Sequence, residues 1–289
     1  MGLSDATCFA DQAVYRTVTI RENIRLARDT YRVRFDCPEI AQRIVPGQFI
    51  MMRLAGANDP LLGRPLALFD TVFSEAGAPV GLDIVYLVVG RFTSRLADCA
   101  PGQQLQVWGP LGNGFSPRKV DHLLMVAGGI GQTPFVALAR EYLGRRTYGT
   151  PPRPSPAARR VTLCYGVRSR DYLAGPEDFA AAGARVLTST DDGSAGHHGL
   201  VTDLVRDVLA EAPPVSHIVC CGPEPMMHAV ADIAAAASVS CEISLESPMA
   251  CGIGICFSCV ARVRDDAGGW DYRRTCVEGP VFDAATIEF

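Results

Sequence analysis

From Tyr15 to Val107 apolar and polar positions alternate in short runs broken by Gly and Pro. The runs Tyr15–Leu26, Tyr31–Phe35, Gln48–Leu54, Pro65–Phe69, Leu82–Val89 and Gln104–Trp108 read as strands. Short strands with frequent turn residues predict a closed antiparallel barrel. At His122 the pattern changes. His122–Ala127 is continuously apolar after its first residue, as a strand buried on both faces requires. A helical stretch, Thr133–Leu143, follows. Three further pairs repeat the theme: Arg160–Tyr165 with Tyr172–Ala182, Arg185–Ser189 with Val201–Ala210, and His217–Cys221 with Pro225–Ala236. Strands alternating with helices predict a parallel α/β layer. Beyond Ser240 strand character returns in Glu242–Leu245, Val260–Val263 and Trp270–Arg274, the last two reading as a hairpin. The expected architecture is α+β multidomain. An antiparallel β-barrel spans 12–118, a parallel α/β domain 119–238 and a small C-terminal domain 239–289. Residues 1–13 read as a loose lead-in, and 145–160, with Pro151, Pro152, Pro154 and Pro156, as a surface excursion.

Composition narrows the function classes. A hydrophobic share of 48% over 289 residues describes a globular chain with ample core. A net charge of -4 argues against a nucleic-acid partner. No apolar run approaches the ~18 residues needed to span a bilayer. The first residues lack the basic flank and apolar stretch of a secretory signal. Eleven cysteines, an odd number with metal-type spacing, predict a reducing, cytoplasmic setting.

The spacing concerned is Cys251-x4-Cys256-x2-Cys259, closed by Cys276 after sixteen residues. It is the plant-type ligand pattern of a [2Fe-2S] cluster. Gly252 and Gly254 let the backbone hug such a group. A structural zinc site or a disulfide pair is the competing reading, although zinc loops usually carry two C-x2-C knuckles.

Three upstream segments carry further chemistry. Arg64, opening the strand Arg64-Pro65-Leu66-Ala67, suits bidentate pairing with a diphosphate. Two more stretches, Tyr86–Thr93 and the tight loop Gly109–Gly114, add weight to it. Gly128-Gly129-Ile130-Gly131-Gln132-Thr133-Pro134 follows a buried strand and opens a helix, the context of a nucleotide-binding turn. Its G-G-x-G spacing departs from G-x-G-x-x-G. Cys221, in Cys220-Cys221-Gly222-Pro223, ends a predicted parallel strand, where ligands of such sheets bind. Alone, it reads equally as a small buried hydrophobe.

Taken in order, these segments resemble the ferredoxin–NADP reductase superfamily. The tail, from Glu246 through Cys259 with Cys276–Phe282, resembles dihydroorotate dehydrogenase B electron-transfer subunits. The resemblance spans about residues 15–283. It implies an FAD-binding barrel, an NAD-binding α/β domain and a [2Fe-2S] domain. Carried over by position, Arg64, Pro65, Leu66 and Ala67 line FAD, and Val85, Tyr86 and Leu87 flank its ring or ribityl chain. Gly90, Phe92 and Thr93 meet its diphosphate. Gly128, Gly129, Gly131 and Thr133 meet NAD, with Cys221 near the nicotinamide. Cys251, Cys256, Cys259 and Cys276 hold the cluster. Ala67 stands where the family usually has Ser, and Phe92 where it has Gly.

The implied role is an oxidoreductase subunit relaying electrons between an FMN-containing dihydroorotate dehydrogenase catalytic subunit and NAD, as a heterotetramer. One alternative is an NAD(P)H reductase subunit of a hydrogenase or a ferredoxin–NAD(P) oxidoreductase. Another, of a different class, is a non-catalytic redox-sensing module. Arg168, Arg170 and Asp171, after the second α/β strand, leave NAD and NADP both open.

Overall fold

The computed structural model describes residues 9–153, 157–265 and 268–289. Residues 1–8 of the lead-in, and Pro154 and Pro156, lie outside them. Strands β1 (Val14–Ala27) and β2 (Thr30–Asp36) precede a single helical turn, α1 (Pro38–Ala41). Next come β3 (Phe49–Leu54), β4 (Arg64–Ala67), β5 (Asp70–Phe73), β6 (Pro79–Leu87), α2 (Arg91–Ala97) and β7 (Gln104–Leu111). The seven strands run β4-β3-β7-β1-β2-β6-β5, antiparallel throughout. The expected strand Pro65–Phe69 is broken at Leu68, and the break closes the barrel. Leu68 N donates to Gln48 O (3.0 Å) on one edge, and Phe69 N to Asp83 O (3.1 Å) on the other. Alternate inward residues such as Val18, Ile20, Val33, Phe35, Ile84 and Tyr86 fill the interior.

The expected strand Leu82–Val89 ends early, at Leu87, and the chain turns into α2. Phe92 and Leu96, four apart, bury on the barrel interior. Thr93 Oγ1 accepts from the N–H groups of Val89 (3.0 Å) and Gly90 (3.2 Å), capping the turn.

The second sheet comprises β8 (His122–Gly128), β9 (Arg160–Val167), β10 (Arg185–Thr190), β11 (His197–His198), β12 (His217–Cys221) and β13 (Ser240–Ser244). A two-stranded hairpin, β14 (Val260–Arg264) with β15 (Trp270–Arg274), stands apart from it. The chain then rejoins the sheet through β16 (Val281–Asp283). The order is β11-β10-β9-β8-β12-β13-β16, parallel except for β16 against β13. β8 is central and buried along its whole length. Helices α3 (Phe135–Tyr142), α4 (Pro176–Ala182), α5 (Val201–Ala210) and α6 (Glu224–Ala236) pack on the sheet. The expected helix Tyr172–Ala182 starts only at Pro176, since Gly175 takes a left-handed φ of 66° and Pro176 suits the first helical position. No helix among the described residues is long and apolar enough to cross a membrane.

The segment between β13 and β16 therefore leaves the α/β sheet and returns to it. Asn113 fastens its far end. The Asn113 amide donates to Glu278 O (3.1 Å) and Val281 O (2.8 Å), and its Oδ1 accepts from Val281 N (3.1 Å). The loop Gly109–Gly114 is thus a clamp between barrel and C-terminal segment.

Barrel and sheet meet at Asp70, which is 4% exposed. Its carboxylate accepts from Arg140, Arg146 (2.7 Å), Tyr148 Oη (2.7 Å) and Thr71 N (2.8 Å). Arg146 and Tyr148 lie in the stretch expected to be a surface excursion. Arg153, in the same stretch, forks onto Glu141 (2.8 and 2.6 Å). The excursion is docked, not free. Removing Asp70 leaves two guanidinium groups and a phenol at a half-dry junction. Asp70→Ala should cost about 3 kcal/mol, the low end for breaking a buried ion pair, because both arginines keep some water contact. The urea midpoint for loss of tertiary structure reports it; a variant as stable as the parent would refute this account of the junction.

Candidate functional site

The C-terminal segment has almost no core of its own and lies on the outer face of β3 and β7. Cys259, Cys276, Val277 and Met249 pack with Phe49, Met51 and Leu111 of the barrel. Trp108 Nε1 donates to Cys251 O at 3.0 Å. Gly252 has φ 74°, and a Cβ there would lie 2.5 Å from Met51 Cγ. A Cβ on Gly254 would lie 2.6 Å from Val277. Both glycines are required by close approach as well as by left-handed backbone. Phe257, not a glycine, also has positive φ (54°), and its ring is exposed beneath Arg274. Such strain marks a loop whose path is imposed by what it surrounds.

Cys256 is exposed, Cys251 half-buried, and Cys259 and Cys276 are buried. Cys251 Sγ accepts from Ile253 N (3.4 Å), and Cys256 Sγ lies 3.2 Å from Ser258 Oγ. Cys256 responds electrostatically to Cys251, and Cys276 to Cys259 and Cys251, so the four thiols share one neighbourhood. Ser258, through hydroxyl and N–H, and the Cys251 thiol pull the exposed Cys256 down to about 6. Burial and then the Cys259 neighbour push Cys276 up to about 12. Cys256 is therefore largely thiolate at neutral pH, whereas Cys276 must give up its proton on ligation, which makes assembly proton-releasing.

On the barrel, Arg64 is exposed with only backbone contacts, Nη1 donating to Leu62 O (3.1 Å) and Gly63 O (3.0 Å). No carboxylate pairs with it among the described residues, so its charge is available to an anion. Pro65, Leu66 and Ala67 are half-buried along the same strand. Val85 faces the junction core, whereas Tyr86 points into the barrel and donates to Asn23 Oδ1 (3.0 Å). Leu87 is half-buried. Gly90 is exposed at the start of α2, while Phe92 is turned inward and leaves the backbone there unobstructed. The Thr93 hydroxyl is consumed in capping.

In the α/β domain Gly128 and Gly131 press against the end of β12. A Cβ on Gly131 would lie 2.2 Å from Cys221 O and 2.7 Å from Gly222 N. A Cβ on Gly128 would meet Met226 at 2.6 Å and Pro223 at 2.7 Å. Gly129 faces open space. Thr133 is buried, with its N–H on Ile130 O (3.1 Å). The turn and the Cys-Gly-Pro end, distant in sequence, are one surface at the C-terminal ends of β8 and β12. The strand order reverses there, the usual ligand crevice of such sheets. Ala137 N donates to Phe69 O (3.2 Å), so the start of α3 abuts the chain just after Ala67.

Burial, and then the Glu246 carboxylate, push the Cys221 thiol far up, with nearby Ser244 acting the other way. It stays protonated, which excludes thiolate chemistry. Glu246 is solvent-accessible, yet desolvation by the protein around it raises its carboxyl. Gln132 is fully buried with both ends of its amide unpartnered. Ser244, Glu246 and Gln132 escape sequence reading. Gln132 alone gave a signal, a polar residue inside a glycine turn. After β9, Arg170 donates to Ser194 O (2.6 Å) and Asp171 is bound by Arg28, while Arg168 is exposed.

Residues 17–115 match the oxidoreductase FAD-binding domain, 125–232 the oxidoreductase NAD-binding domain, and 246–288 the iron-sulfur cluster binding domain of dihydroorotate dehydrogenase B. The chain is 34% identical over 270 residues to the dihydroorotate dehydrogenase B (NAD(+)) electron transfer subunit of Caldanaerobacter subterraneus subsp. tengcongensis, covering 93% of this chain and 97% of that one. It is 35% identical over 259 residues to the subunit of the same name from Desulforamulus reducens, covering 89% and 92%. Among solved structures it resembles the NADH-dependent reduced ferredoxin-NADP oxidoreductase, with TM-score 0.78 and 26% identity over 94% of this chain and 89% of that chain.

The Gly131 contact is with backbone, which cannot swing aside. Gly131→Ala should force the turn off β12 and cost about 1–3 kcal/mol, as overpacking does. Its thermal midpoint should drop while Gly129→Ala, with open space but positive φ, loses less. Equal midpoints for Gly131→Ala and the parent would show that the turn has slack.

Proposed function

We propose, from the fact that the chain belongs to the family of dihydroorotate dehydrogenase B electron-transfer subunits, that it carries electrons between an FMN-containing catalytic partner and NAD in pyrimidine biosynthesis. One observation supports this reading most. Met51, whose side chain touches the Gly252 position, is the direct cross-strand partner of Pro65 in Arg64–Ala67. The thiol loop and the expected flavin strand are thus one strand apart, roughly 5 Å between neighbouring backbones.

When bound, FAD interconverts two-electron hydride transfer and one-electron transfer, and a [2Fe-2S] cluster handles the single electrons. The chain's own residues do the rest. Cys251, Cys256, Cys259 and Cys276 would hold the cluster, with Trp108 and Met51 fixing its loop on the barrel. Arg64 and the backbone at Gly90 would bind the FAD diphosphate. The turn Gly128–Thr133 would take the NAD diphosphate at a helix-start geometry. Cys221, neutral and backed by Ser244, would present a compact apolar wall to the nicotinamide and keep water from the hydride path.

Around the exposed Cys256 stand Ile253, Ile255 and Phe257, 36%, 74% and 63% exposed. An apolar rim at the most accessible ligand fits docking of the catalytic partner over the loop, in a heterotetramer. The ten described cysteines are all free thiols, which fits a cytoplasmic setting. NAD is the expected nucleotide.

Cys256→Ser should abolish or badly weaken cluster binding yet leave FAD in place, because the barrel has its own core. Iron content and the visible spectrum of anaerobically prepared protein report the two separately. Loss of flavin together with iron would contradict the modular reading. Recovery of a hydrogenase or ferredoxin-linked partner, instead of an FMN subunit, would favour the alternative reductase.

A further inference from the structure

A second polar cavity, of about 320 Å³, opens at the junction on the side of β2, β5 and β6 that faces the end of α3 and the start of α4. None of the residues expected to meet FAD, NAD or the cluster lines it. Its wall carries four guanidinium groups, Arg32, Arg34, Arg140 and Arg146, against three carboxylates, Asp70, Asp83 and Asp178.

Two of the carboxylates are fully engaged. Arg34 forks onto Asp83 with both contacts at 2.7 Å. Asp70 alone serves Arg140 and Arg146 together, which leaves a surplus positive charge there. Asp178 is half-buried without an ion pair, and burial pushes its carboxyl up, toward a form that donates a proton. Two wall donors lack any partner among the described residues. Thr71 is 4% exposed and its Oγ1 is unpartnered. Arg32 touches Glu22 through Nη2 at 3.2 Å, but its buried Nε has nothing to donate to. A buried donor left unmet is destabilising, so such a donor favours any ligand that can accept from it. Five N–H groups per guanidinium give this wall far more donors than acceptors.

We propose that this cavity is a binding site for a small oxyanion, of the phosphate or carboxylate kind, that bridges the barrel and the α/β domain. Arg32 Nε and Thr71 Oγ1 donate to it from the barrel, and the spare N–H groups of Arg140 and Arg146 from the other side. Planar forks of this sort match carboxylate and phosphate oxygens two at a time. The volume lies at the lower end of small-molecule pockets, which suits a compact anion.

The test uses cluster- and FAD-loaded protein with NAD+ in excess, so that both expected diphosphate sites are filled. Thermal unfolding is followed while inorganic phosphate or malonate replaces chloride at constant ionic strength. A ligand of the native state raises the midpoint saturably. The expected result is a saturable rise with at least one anion, at least ten-fold weaker in affinity for Arg32→Gln and for Thr71→Val. Arg159→Gln, at a side chain 86% exposed elsewhere, should respond like the parent. A response to only one of the two anions identifies which oxyanion the site takes. No saturable rise with either, or parental affinity in both Arg32→Gln and Thr71→Val, overturns the proposal. If Arg32→Gln fails to fold, Thr71→Val, which removes only a hydroxyl, decides alone.

Discussion

A segment of some forty residues wound around four cysteines has too few apolar side chains for a hydrophobic core of its own, so it must borrow one. Here the lender is the outer face of the barrel. Met51 and Leu111 fill the space under Gly252, and the Trp108 indole holds the first cysteine's carbonyl. At either end the segment is stitched into the α/β sheet, through β13 and β16. Small domains of this size usually need a metal or disulfides to stay folded. This one is braced as well by two larger bodies, the barrel and the α/β sheet, and its geometry follows theirs.

The two larger bodies are themselves coupled by polar contacts more than by apolar ones. Asp70 with its arginines and tyrosine, and Arg28 on Asp171, form the rim of the junction. Phe69 and Val85 of the barrel enter the core of the other domain, and Ala137 enters the barrel's. Such an interface fixes orientation while tolerating water, as inter-domain contacts usually do. The crevice at the ends of β8 and β12 opens beside it. Its walls come from residues that no single domain could bring together.

Much of this was legible before any coordinates. Barrel and α/β domain announce themselves by period, two against continuous runs with helices between. The cysteine spacing survives because a loop around a compact group tolerates few alternatives. What escaped was long-range. Gly109–Gly114 looks like a phosphate loop, but Asn113 serves residues more than 160 positions later. The stretch 145–160 is rich in proline and so reads as loose, yet Arg146 and Tyr148 are drawn in by Asp70, which no local pattern reveals. Helix α2 is too short for its single Phe92–Leu96 pair to stand out. Phe92 stands where the family has Gly; its direction, into the barrel, depends on the helix that the pattern hid.

The chain has two tryptophans, and both border the thiol segment. Trp108 is half-buried with its indole N–H bonded to the Cys251 carbonyl, and Trp270 lies largely in water under the guanidinium of Arg262, 3.9 Å from its ring centre. Tryptophan emission from this molecule therefore arises from one neighbourhood only. The bluer part comes from the barrel side and the redder part from the hairpin. Any coloured group seated between them would dim the two to different degrees, giving the protein a built-in optical ruler for that region.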